Sequence, residues 1–194
     1  HIGYYDQEHQ VLHMDKTLFQ EIQDTYPNMN NTQIRNTLAA FLFTGDDVFK
    51  LIRDHDAVLG TAHVSPKEAF VVVEAARDAG VKKIVITHPE WWVVDMSIDD
   101  QIRLVKDYDV ILERCYAQNM GGGAYKSNLP DNLELIKAVG YEHVMVDTDG
   151  GQTENPHWEI AMQQYLQYLS DHGVPDDQIY YMSHTIAAGL LGIE

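Results

Sequence analysis

Four short stretches of this chain read as strands, and each ends in a residue that can bind a metal or move a proton. They are Ala57–His63, Lys83–His88, Val110–Glu113 and Val144–Asp149. Helical patterns follow the first two and the last closely, and a longer segment with its own helical stretch separates the third from the fourth. In a parallel α/β protein the C-terminal strand ends open onto one crevice, where ligands bind. His63, His88 and an aspartate are therefore expected to meet in space, and this pattern points to a metal-dependent enzyme.

The connecting segments carry helix signals. Ser65-Pro66-Lys67-Glu68 offers an N-cap, a proline at the first helical position and a capping-box glutamate. That helix should run through Ala69, Val73 and Ala76 and stop at Gly80. Ser97 opens a second helix ending near Tyr108, and 131–139 reads as a third, stopped by Gly140. Two last helices are expected over about 156–172 and 176–191. Gly121-Gly122-Gly123 marks a flexible loop that would suit a lid. The order βαβαβαβαα favours a parallel sheet with helical crossovers. Residues 1–55 read as an irregular and helical excursion on a single domain of 1–194. Thr32 would cap one helix there, through Leu38 and Phe41, and Asp46-Asp47 another, Val48 to Arg53.

The 194 residues suffice for one substantial core, with 45% apolar and 22% charged residues. A net charge of −17 argues against nucleic acid and anionic membrane as partners. One cysteine, Cys115, permits no intrachain disulfide, and a cytoplasmic location is expected. No apolar run approaches the roughly 18 residues of a membrane span.

Each candidate has a plain reading beside the functional one. His63 and His88 are either core histidines satisfied by backbone or metal ligands, with their strand-end positions favouring ligands. Glu113 lies within an apolar strand and needs a partner, which is Arg114, Lys126, a substrate or a metal. Asp147 and Asp149 share a face by period two. Asp149 is the better ligand or general base because Gly150-Gly151 lets backbone approach a ligand. Asp147 would cap the next loop or orient a histidine. Glu90 reads as exposed or as a supporting group. Trp91, Trp92, Tyr116 and Tyr125 either line a substrate pocket or pack as a lid. His157, His172, His184, His1, His9 and His13 read as solvated or capping residues. No nucleophile elbow, zinc-finger spacing, His-Glu-x-x-His or dinucleotide fingerprint is present.

Thr61-Ala62-His63-Val64-Ser65-Pro66-Lys67-Glu68, Val85-Ile86-Thr87-His88-Pro89, Thr148-Asp149-Gly150-Gly151-Gln152 and Ala187-Ala188-Gly189-Leu190-Leu191-Gly192 occur in that order. Over about residues 55–194 they resemble the C-terminal two-thirds of metal-dependent hydrolases of the amidohydrolase superfamily, in a (β/α)8-barrel branch whose reaction is not assigned. The resemblance implies metal or catalytic roles for His63 on strand five, His88 on strand six and Asp149 on strand eight, with Glu113 on strand seven. The superfamily's first-strand His-x-His has no counterpart here, nor does its fourth-strand lysine. Ser183-His184-Thr185-Ile186-Ala187 stands where Asn-Pro-Ala is usual.

The expected fold is thus α/β, a partial (β/α)8 TIM-barrel-like sheet whose N-terminal strands are missing. An N-terminal segment, a second chain or a self-pairing copy would supply them, because an open sheet edge invites association. The expected function is hydrolysis of an amide, cyclic amide or ester-type bond of a small molecule. The cofactor would be a divalent metal, zinc first, with manganese or iron also suitable. Two alternatives remain: a lyase or decarboxylase on the same scaffold, and a non-catalytic binding or structural subunit.

Overall fold

A computed structural model describes residues 18–30 and 45–193. The chain divides into two units between Val48 and Phe49, and each is described by itself. In the first, α1 covers Leu18–Thr25. The helix expected from Thr32 lies outside the described residues. A helix α2, Gly45–Asp54, runs across the division, so Asp46 and Asp47 lie inside it rather than capping it.

The second unit is a mixed α/β layer built on four parallel strands. These are β1 (Val58–Gly60), β2 (Lys83–Ile86), β3 (Ile111–Cys115) and β6 (Val144–Asp147), adjacent in the order β1-β2-β3-β6. The helices between them are α3 (Pro66–Asp78), α4 (Ile98–Tyr108) and α5 (Leu129–Val139), and α6 (Trp158–Asp171) follows β6. Each new parallel strand is laid beside the last in one direction. Right-handed crossovers in that order put every connecting helix on the same face of the sheet.

Alternation along the strands fits this arrangement. Ile84, Ile86, Leu112, Val144 and Val146 are all at most 2% exposed. They pack with Ala69, Val73 and Ala76 of α3, Leu104 of α4, Leu135 and Ile136 of α5, and Ala161 and Leu169 of α6. The register pairs Val85 with Ile111 and Cys115 with Asp147, so Ile111, Glu113, Cys115 and Asp147 share the opposite face. That face carries the chemistry.

The caps read from the sequence are present. Glu68 N–H donates to Ser65 Oγ while Ser65 N–H donates to Glu68 Oε2, a complete capping box. Ser97 Oγ accepts Asp100 N–H at 3.1 Å. Ser97→Ala is expected to lower stability by about 1 kcal/mol, measured by urea denaturation, because one orphan helix N–H loses its acceptor.

Two segments differ from expectation. The triple glycine is no open loop. It closes an antiparallel hairpin of β4 (Ala117–Gly121) and β5 (Ala124–Ser127). Gly122 and Gly123 have φ of 63° and 80°, the left-handed pair a tight two-residue hairpin turn requires. The helix expected over 176–191 is three pieces: α7 (Asp176–Tyr180), a π-helical turn (Tyr181–Thr185) and α8 (Ile186–Leu191). Among the described residues no helix is long and apolar enough to cross a membrane.

Candidate metal centre

The residues just after β1 and β2 bring two imidazoles together. His63 Nε2 and His88 Nε2 are 3.0 Å apart, with ring centroids 4.7 Å apart. His63 is exposed and His88 is 4% exposed. Thr61 and Thr87 tie the two exits together: Thr87 N–H donates to Thr61 Oγ1 at 3.1 Å, and Ala62 N–H to Thr87 Oγ1 at 3.2 Å. Burial holds His88 down to about 4, with the neighbouring His63 adding to the effect. At neutral pH His88 is therefore an uncharged imidazole, the form that binds metals. Its Nδ1 is buried without a hydrogen-bond partner.

Backbone strain marks the same exits. Ala62, His88 and Asp149 have φ of 54°, 22° and 42°, a region that side-chain-bearing residues rarely occupy. Asp56, Asp95 and Asp109 share this region away from the site, Asp109 as a helix C-cap, so what marks the site is three such residues at neighbouring strand exits.

Carboxylates of β3 and the β6 exit adjoin the pair. Glu113 Oε2 accepts His88 N–H at 3.2 Å. Neither cation expected beside Glu113 pairs with it: Arg114 bridges Glu90 at 3.3 Å, and Lys126 bridges Asp131 at 3.0 Å. Burial first, and Asp147 second, push Glu113 up to about 8. Asp149 is exposed as a residue, yet its carboxyl is raised by partial burial and by Asp147, while His63 pulls it down. Asp147 does not orient a histidine. It groups with Glu113 and Cys115, with one ligand atom from each lying within 4.8 Å of the others.

The aromatic candidates separate. Trp91 is 7% exposed and stacks on His88 with centroids 4.2 Å apart, so it is a wall of the site. Tyr116 is buried, and its hydroxyl donates to Gln164 at 2.6 Å. Trp92 and Tyr125 remain exposed. Trp92 is pinned to the hairpin, its N–H donating to Gln118 Oε1 and its Nε1–H to Asn119 O.

Glu90, read from sequence as exposed or supporting, is a buried anchor with a 4% exposed side chain. Its Oε1 accepts Cys115 N–H at 3.0 Å and Asn128 Nδ2–H at 3.2 Å. Burial raises its carboxyl and Arg114 pulls it down. Arg114 also donates to Asn132 Oδ1 and Gln101 Oε1. Sequence reasoning missed Cys115 as a donor too, although its two-residue offset from Glu113 puts both on one strand face.

Fold and site together define an α/β protein whose parallel sheet carries imidazole, carboxylate and thiol groups at its C-terminal edge. The chain belongs to a family of unknown function, DUF6282, whose model matches residues 7–113. That span takes in His63, His88 and Glu113 and ends before Asp147 and Asp149. A stretch of 49 residues is 47% identical to the Bacillus subtilis (strain 168) protein named "Putative ATP-binding protein YdiF", covering 25% of this chain and 8% of that protein. The chain thus spans a small fraction of that relative's length. No solved structure is significantly similar to the chain.

Proposed function

We propose that the protein is a metal-dependent hydrolase acting on an amide, cyclic amide or ester-type bond of a small molecule. The observation that carries this reading is the convergence of His63 Nε2 and His88 Nε2 to 3.0 Å beside the Glu113 and Asp149 carboxylates. Two imidazole nitrogens on bonds of about 2.0–2.1 Å to one ion lie roughly that far apart, and a mixed imidazole and carboxylate donor set suits zinc, with manganese or iron as substitutes.

In this reading His63 and His88 hold the ion, and Asp149 is a further ligand or the general base. A bound divalent ion supplies Lewis acidity toward a carbonyl and makes water nucleophilic at neutral pH. Asp149, at the exposed rim, takes the proton of the attacking water. Glu113 fixes the strained His88 backbone by accepting its N–H. Trp91 shields one side of the imidazole from water, and exposed Trp92 and Tyr125 meet the substrate.

The scaffold we infer is a sector of a (β/α)8 barrel. The one-directional strand order and the confinement of the aliphatic core to one sheet face support it. A second copy or a further segment would then pair with the outer edges of β1 and β6. A nucleotide-binding reading has less support. The chain contains no Gly-Lys-Ser/Thr, and its glycine run is a hairpin turn.

The test is metal analysis of the purified chain, followed by a panel of amides, lactams, lactones and esters assayed with and without zinc. Zinc-dependent turnover that Asp149→Asn lowers by about 10²–10⁴-fold is expected. A chain that binds no metal in excess zinc would end this reading.

A further inference from the structure

We propose that Glu113, Cys115 and Asp147 form a second cation pocket beside the histidine pair, with a thiolate ligand that selects a thiophilic divalent transition metal. The proposal shares Glu113 with the function proposed above but otherwise stands on different donors.

The geometry comes from the strand pattern. Cys115 pairs in register with Asp147, and Glu113 lies two residues before Cys115, so all three side chains leave the same face. Their ligand atoms fall within 4.8 Å of one another. Cys115 is completely buried, while Glu113 and Asp147 are half-buried, so the pocket has a thiol floor and opens past the carboxylates.

Two further observations favour a cation at this place. Asp147 Oδ1 is buried without a hydrogen-bond partner. The buried guanidinium nearby, Arg114, is taken by Glu90, Gln101 and Asn132. Among the described residues no lysine or arginine pairs with Glu113 or Asp147. Burial and the neighbouring Asp147 leave Glu113 holding a proton against Asp147, and a coordinated ion would displace that proton and supply the positive charge the two carboxylates share. A thiol, two carboxylates and no third hard oxygen donor disfavour magnesium and calcium and favour zinc, cobalt or cadmium. On binding, the metal–sulfur bond replaces the S–H bond and the proton leaves to solvent.

The test is titration of the whole chain with cobalt(II), followed by absorption and by bound-metal stoichiometry. Cys115 is the chain's one cysteine, so a sulfur-to-cobalt charge-transfer band within one molecule reports on it alone. We expect that band in the wild type and in His63→Ala. We expect it lost in Cys115→Ser and weakened in Asp147→Asn, with Cys115→Ser still binding one equivalent at the histidines. A folded wild type that binds cobalt without the band overturns the proposal. So does a band that His63→Ala abolishes, since both donor sets would then serve one ion. Conversely, a Cys115-dependent band with stoichiometry unaffected by His63→Ala sustains this pocket and sinks the histidine site.

Discussion

Replacing His63 by alanine is expected to abolish the zinc binding proposed for the histidine pair and leave the fold intact. His63 is exposed, its ring touches the site through His88 and Trp91, and no described core cluster includes it. Exposed substitutions outside caps and networks usually change stability by less than about 0.5 kcal/mol. The effect on metal is of another order. Loss of a group that merely supports a metal ligand costs about 10–100-fold in affinity, and loss of a ligand costs at least that. Turnover on any substrate found in the panel should fall to background. His88→Ala should lose the metal equally but also destabilise, because that side chain is buried against Trp91. Isothermal titration with zinc, paired with circular dichroism, separates the two variants. A zinc stoichiometry unchanged in His63→Ala, measured in the Cys115→Ser background, would show that the facing imidazoles are only a hydrogen-bonded pair.

The sequence made the sheet and its edge legible for a physical reason. Apolar runs such as Lys83–Ile86 and Val144–Asp147 are short and β-branched, and capping residues such as Ser65 and Ser97 announce the helices that follow. Because each crossover returns the chain parallel, His63 and His88 could be brought together on paper, and they meet at 3.0 Å. The hairpin of β4 and β5 was not legible, since Gln118-Asn119 and Tyr125-Lys126 carry no apolar alternation and the glycines look like loop. Cys115 and Asp147 were hidden by treating each strand alone. Their proximity is a matter of register between β3 and β6, which no local pattern encodes. The supporting reading of Glu90 holds and the exposed one does not, for a similar reason. Its partners come from β3 and from the start of α5, far along the chain, so only the folded topology reveals that its carboxylate is buried.

That burial sets up the largest stability effect expected of this protein. Arg114 and Glu90 form an ion pair with side chains 2% and 4% exposed, Glu90 lying in the loop between His88 and Trp91. Removing one member of such a pair strands the other charge in the core, and Arg114→Met is expected to cost about 3–5 kcal/mol in urea denaturation. Replacing a buried pair by neutral groups is usually far cheaper, but here the two residues also serve as hydrogen-bonding hubs. Glu90 Oε1 satisfies Cys115 N–H and Asn128 Nδ2–H, and Arg114 satisfies Asn132 Oδ1 and Gln101 Oε1. The double variant Glu90→Gln/Arg114→Met keeps an acceptor for the first two groups and removes both charges. It should therefore recover part of the loss while leaving Asn132 and Gln101 short of donors. Equal stability of the single and double variants would mean that the stranded carboxylate is not the source of the cost. Because Cys115 N–H hangs on Glu90, the same pair fixes the β3 end from which Glu113 and Cys115 project, and weakened metal binding should accompany the lost stability.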